Sequence, residues 1–201
     1  MKLKRICIIS KEYCQKMKSL IIYFRALFIL WGVNWNNEYF LKDLIRWKQI
    51  YHLNTSNGKV FAWLMYYKPE FRNLFIYRNN NRPTYVMLIK LFYKPMDTLF
   101  IESFEIGGGL FIQHGFSTMI SAKSIGENCW INQQVTIGYN GSGNPPTIGN
   151  GVMIACGAKV LGDIYIGDNS VIGANAVVVK NVDAGSVMVG IPAKKLERKS
   201  Q

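Results

Sequence analysis

Six residues separate Ile148, Ile154, Val160, Ile166, Ile172 and Val178, and the same step links Ile125, Ile131 and Ile137. A strand alternates every two residues and a helix turns every 3.6, so a sustained period of six fits neither a simple sheet nor a stack of helices. It is the period of a β-solenoid, in which short strands wind around a narrow prism.

Aligned on that apolar first residue, the nine hexads carry Asn128, Gln134, Asn140, Gly151, Gly157, Asp163, Asn169, Asn175 and Asn181 at the fourth position. Asn, Asp and Gly tolerate positive φ, so every corner except the one at Gln134 can take a left-handed turn. The second position is mostly small, as at Gly126, Gly138, Gly149, Gly167 and Gly173, where one coil must approach the next. The fifth is small or β-branched, with Cys129, Val135, Val152, Ala158 and Ala176 expected to point inward beside the first.

Three hexads close one triangular coil, so the nine predict about three coils stacked ~4.8 Å apart, preceded by a less regular coil through Ile106 and Ile112. Ile112 to Ile125 takes thirteen residues rather than twelve, which predicts a bulge. Ile137 to Ile148 takes eleven rather than six, which predicts a Gly/Asn/Pro loop leaving a corner over Tyr139 to Thr147. A loop that interrupts so regular a scaffold is a better functional suspect than any core residue. Regularity alone suits a solenoid that only binds or scaffolds equally well.

The net charge of +12 is not spread evenly. Residues 1–100 hold 17 Lys and Arg against 5 Asp and Glu, whereas residues 101–201 hold 7 against 7. The first half also carries 21 of the 27 aromatics, so a basic, aromatic region precedes a neutral solenoid. Within it, Lys11–Trp31, Glu38–Leu53, Lys59–Tyr67 and Pro83–Tyr93 read as helices, with Asn37 and Asn57 as caps or breaks and Pro69, Pro83 and Pro95 as punctuation. Three roles compete for this region. It can cap the open end of the solenoid. It can attach to anionic lipid through basic side chains and interfacial Trp and Tyr, such as Lys16, Lys18, Tyr23, Arg25 and Trp31. Nucleic-acid binding is the weakest, because no recognition motif accompanies the charge.

The longest apolar stretch, Ser19 to Val33, is too short to span a bilayer and carries Arg25 in its middle. Cys7, Cys14, Cys129 and Cys156 form no CxxC pair and no Cys/His ligand spacing, so no metal is expected. Unpaired thiols and the absence of an apparent secretory signal suit a cytoplasmic protein, peripheral at the inner face of the cell membrane if the basic region binds lipid. The solenoid has one histidine, His114, in a Gly-rich stretch just after Ile112, placing it near a coil edge and not in the prism.

The run Ile106-Gly-Gly-Gly-Leu-Phe-Ile-Gln-His-Gly, the segment Val135-Thr-Ile-Gly before the loop, Ile148-Gly-Asn-Gly-Val-Met-Ile-Ala-Cys-Gly-Ala-Lys-Val-Leu-Gly, and the closing Gly190-Ile-Pro-Ala-Lys together resemble the serine acetyltransferase branch of the hexapeptide-repeat acyltransferases. The likeness covers about residues 99–196. It implies a mainly β chain: a left-handed parallel β-helix over 99–192, after a helical region over 1–98 and before a tail over 193–201. It also implies a homotrimer, with acetyl-coenzyme A in the groove between neighbouring prisms. His114 then stands as the general base that takes the proton from an attacking hydroxyl, a task suited to an imidazole titrating near neutrality. Gly138, Tyr139, Asn140, Cys156, Gly157 and Ala174 match the pantetheine groove, with backbone N–H groups at the Gly138–Asn140 and Cys156–Gly157 corners as oxyanion donors. Pro192, Ala193 and Lys194 match the tail at the nucleotide end, where Lys194 or Lys195 meets phosphate.

The departures fall around the acceptor. Gln113 stands where the family has an aspartate before the histidine, Asn144-Pro145-Pro146 replaces an Arg-His-Pro motif in the loop, and Leu99 aligns with the aspartate that orients the base. Glu102 or Glu105 is the expected replacement for that carboxylate, and Gln113, Asn132 and Pro145 are expected on the acceptor side. These changes lead to the expectation of an acetyl-coenzyme A-dependent O-acetyltransferase acting on a sugar hydroxyl in bacterial surface polysaccharide synthesis. Serine is the alternative acceptor, and a silent scaffold or binding solenoid is the rival of another class.

Overall fold

The computed structural model describes residues 17–18, 20–141 and 143–197. Lys16, Cys7, Cys14 and the start of the first expected helix lie outside the described residues. Residues 20–30 form helix α1, followed by α2 (Glu38–Ile50), α3 (Asn57–Tyr67), α4 (Pro69–Arg78) and α5 (Pro83–Phe92). Asn37 caps α2 as expected, its side chain accepting the Phe40 N–H at 3.0 Å. Asn57 is instead the first residue of α3, with Ser56 before it. Helix α4 was not expected from the sequence. Pro69 reads as a break, but at the first helical position its missing N–H costs nothing and its fixed φ starts the helix.

From Leu99 the chain winds as a solenoid. The first coil is β1 (Leu99–Ile101), β2 (Glu105–Ile106) and β3 (Phe111–Ile112), and the second is β4 (Thr118–Ile120), β5 (Ser124–Ile125) and β6 (Trp130–Ile131). The third is β7 (Thr136–Gly138), β8 (Thr147–Ile148) and β9 (Met153–Ile154), and the fourth is β10 (Lys159–Leu161), β11 (Tyr165–Ile166) and β12 (Val171–Ile172). The last coil holds β13 (Val177–Val178), a single bridge from Val182 to Ile166, and β14 (Val187–Val189). Three parallel sheets result. Face A stacks β1, β4, β7, β10 and β13; face B stacks β2, β5, β8 and β11; face C stacks β3, β6, β9, β12 and β14. The protein is thus a mainly β, parallel β-solenoid with an N-terminal helical region. Within the tail, Lys194–Lys195 form β15 and pair antiparallel with β14.

Inside the prism the repeated Ile and Val of the first slot, with Cys129, Val135, Val152, Ala158 and Ala176 of the fifth, are all buried. At the fourth slot Asn128, Gly151, Gly157, Asn169 and Asn175 have positive φ, as expected, and so does Gln134, which was the exception in the sequence reading. Its backbone is held from both sides: Gln134 N–H donates to the Phe116 carbonyl at 3.0 Å, and its own carbonyl accepts Lys159 Nζ at 2.7 Å. Asn140, Asp163 and Asn181 are not left-handed. All three follow face A, the edge from which the loop departs, and there Gly162 takes the positive φ instead.

The helices cap the first coil. Trp47 packs edge-on to Phe111 at 4.7 Å and donates its indole N–H to the Leu110 carbonyl at 2.8 Å. Asp43 accepts the backbone N–H groups of Gly109 and Leu110 at 2.7 and 3.0 Å, while Arg78 pairs with Asp43 and donates to the carbonyls of Ile106 and Gly107. The polar backbone of the terminal coil is therefore satisfied by the cap. Helix and solenoid residues form one continuous apolar core.

Candidate active site

Register fixes what stacks on what. Ile112 lies opposite Ile131, Ile131 opposite Ile154, Ile154 opposite Ile172, and Ile172 opposite Met188. Two residues beyond these come His114, Gln133, Cys156, Ala174 and Gly190, which form one column down the edge where face C turns into face A. Four steps of roughly 4.8 Å make it about 19 Å long. Pro192, Ala193 and Lys194 follow at its far end, with Ala193 N–H bound to the Val177 carbonyl at 2.8 Å.

His114 is exposed and left-handed, with φ of 64°. Behind it Gly115 is buried, and a Cβ there would come within 2.9 Å of Glu70 Cγ and 3.1 Å of Leu99 Cδ2. The first turn of α4 thus forms the floor under the histidine's corner and places the buried Glu70 beside it. Next to the corner, on face C, the Trp130 indole N–H is shared between Asn132 Oδ1 at 2.8 Å and Gln113 Oε1 at 3.2 Å. This ties two expected acceptor-side residues into one neutral polar cluster.

The edge differs from expectation in detail. Gly157 N–H donates to the Gln133 carbonyl at 3.0 Å, so it is spent on holding coil to coil; the neighbouring Cys156 N–H has no such partner among the described residues. Gln133, not singled out from the sequence, is the residue in register with His114, and its buried Oε1 has no partner among the described residues. Counting three hexads per coil back from Cys156 reaches it.

Other expected site residues lie on the far edge of face A. Gly138, Tyr139 and Asn140 leave the end of β7, where the loop base is held by Asn144 Nδ2 to Asp163 Oδ2 at 3.0 Å and Lys123 N–H to the Pro146 carbonyl at 2.8 Å. Pro145 is buried in this loop and offers no open surface to an acceptor. A Cβ on Gly138 would meet nothing within 4 Å, so the space over it is open. Glu102 sits on this same far edge, one coil below β4, lining a cavity of about 460 Å³ with Asn73, Tyr77 and Lys90. Glu105 is on face B. Neither shares an edge with His114, because a whole prism face intervenes; the carboxylate that does lie beneath that corner is Glu70.

These features define a parallel β-solenoid with His114, Gln133 and Cys156 aligned along one edge. Residues 145–180 match the family of the bacterial transferase hexapeptide (six repeats). A serine acetyltransferase of Staphylococcus aureus is 48% identical over 92 residues, 44% of this chain and 43% of that protein. Serine acetyltransferase of Neisseria gonorrhoeae, solved in complex with serine, superposes with a TM-score of 0.58 at 25% identity over 79% of this chain and 67% of that one. A serine acetyltransferase solved with CoA gives a TM-score of 0.57 at 28% identity over 78% and 68% of the two chains. The chain spans about half the length of the curated relatives it matches.

Proposed function

We propose that the protein is an acetyl-coenzyme A-dependent O-acetyltransferase, with His114 as the general base and serine as the acceptor that its relatives point to. The observation that carries this is the single column of His114, Gln133, Cys156 and Ala174, ending at Pro192–Lys194. It is long and narrow enough for an extended thioester arm, with the base at one end and lysines at the other. In the reaction His114 takes the hydroxyl proton as the oxygen attacks the thioester carbonyl; the C–S bond then breaks, leaving the acetyl group on the acceptor oxygen, and His114 passes the proton to the departing thiolate. The N–H of Cys156, without a backbone partner among the described residues, is the donor suited to the developing oxyanion.

The protein works as a homotrimer in this reading. The His114 edge and the Gly138–Asn140 edge bound opposite sides of face A, so both can flank one ligand only when two chains meet. The relatives named above are serine acetyltransferases, so serine takes the place of the expected sugar as the first reading. One local observation keeps the sugar as a second: Trp130, Gln113 and Asn132 offer hydrogen bonds but no charge to a zwitterion.

Thiol release from acetyl-coenzyme A, measured with L-serine and with a panel of nucleotide sugars and oligosaccharides, tests the proposal. Turnover with serine establishes the first reading and turnover with sugars alone the second. No turnover with any acceptor leaves the scaffold.

A further inference from the structure

Helix α1 is apolar on two sides. Ile22, Ala26 and Ile29 are buried, as an inward stripe should be. The opposite stripe is bare: Ile21, Phe24 and Phe28 are each more than half exposed, and Trp31, just past the helix, is 90% exposed. Helix α5 continues the surface with Met87 and Leu91, which are 71% and 78% exposed. Phe28 stacks on Phe92 at 5.1 Å, and Arg25 donates to the Phe92 carbonyl and lies 4.9 Å over the Tyr93 ring. The two helices are therefore fastened side by side, and the groove they frame, about 730 Å³, is preformed. A contiguous apolar surface of this kind marks an interaction site.

We infer that this face docks on an anionic lipid surface, lying in the interface without crossing it. Charge decides between occupants. Neither α1 nor α5 carries an acidic residue, while they hold Arg25 and Lys90, within a half-chain of 17 basic and 5 acidic residues. Two of those acids are already paired, Asp43 with Arg78 and Asp97 with Lys94. A second copy of the chain would bring this cationic excess against itself, whereas anionic headgroups neutralise it while the aromatic stripe enters the headgroup boundary. Among the described residues no helix is long and apolar enough to cross a membrane.

This inference stands apart from the acetyl-transfer reading and is tested by binding, not turnover. The full chain is sedimented with vesicles of phosphatidylcholine alone, or with roughly a quarter phosphatidylglycerol added. Retention on the anionic vesicles only, weakening as NaCl is raised through charge screening, is the expected result. Phe24→Glu with Leu91→Glu, both at exposed positions outside the Phe28–Phe92 stack, is expected to reduce retention at least ~10-fold with the circular dichroism spectrum unchanged. Trp31→Ser is the second variant, at a side chain that supports no packing. No retention on anionic vesicles, or retention that both variants leave untouched, overturns the inference. So does loss of hydrodynamic mass in the variants without any lipid binding, which would assign the face to a second copy.

Discussion

Arg78 Nε lies 2.8 Å from Asp43 Oδ2, with both side chains almost out of contact with water, joining α4 to α2 directly beneath the first coil. Removing one partner of a buried pair strands the other charge, so Asp43→Ala is expected to cost about 3–5 kcal/mol, read as a lower urea midpoint. Asp43→Asn keeps an acceptor for the Gly109 and Leu110 N–H groups and is expected to cost less.

A Cβ on Gly126 would stand 2.6 Å from the backbone nitrogen of Asn150 in the next coil, whereas one on Gly138 meets nothing. Gly126→Ala is therefore expected to lose about 1–3 kcal/mol by forcing two coils apart. Gly138→Ala is expected to stay within roughly 0.5 kcal/mol of the parent. Chemical unfolding of the two variants side by side checks the contrast.

Replacing His114 by alanine is expected to slow turnover at least ~10²-fold while leaving coenzyme A affinity unchanged, because a base acts on the proton and not on the cofactor. Steady-state rates with direct coenzyme A titration separate the two effects. Full activity in this variant would remove His114 as the base.

If facing chains supply opposite walls of the site, two inactive variants should rescue each other. Subunits carrying His114→Ala, unfolded and refolded together with subunits carrying an inactivating substitution at Tyr139, are expected to regain roughly a quarter of the native sites in a randomly mixed ring. A site built from one chain gives no rescue.

Burial pushes the Cys129 thiol up to about 11. At pH 7 it is therefore protonated, and its thiolate becomes abundant only as pH approaches that value. Iodoacetamide is expected to label Cys156, which is partly exposed on the His114 edge, and to spare Cys129 until the chain unfolds. Acetyl-coenzyme A is expected to slow labelling of Cys156. Peptide mass mapping reads each site separately.

The solenoid was legible because one slot in six must be apolar in every coil, and from Ile125 to Val178 that rule is broken only by the loop. The corners were legible as a class, since Asn and Gly mark positive φ, but Gln134 shows tertiary hydrogen bonds overriding the residue preference. Helix α4 was hidden by Pro69, whose meaning depends on whether it begins or interrupts a helix. The site was half legible. His114, Cys156 and Ala174 were found as a set and share one edge; Gly138–Asn140 and Glu102 stand across face A from them, a separation that only a facing chain could close. Glu70 carried no signal at all, because only the docking of α4 on the first coil brings it under Gly115.

The antiparallel return of Lys194–Lys195 onto β14 has a consequence for how copies of this protein treat one another. A stack of parallel rungs ends in a row of unpaired amide and carbonyl groups, a template on which the first rung of another molecule could add end to end. Here α2 and α4 cover the starting rung, and on face C the finishing rung pairs with a strand running the wrong way to be copied, with two positive charges upon it. End-to-end addition is therefore obstructed at the start of the stack and, at its finish, along face C.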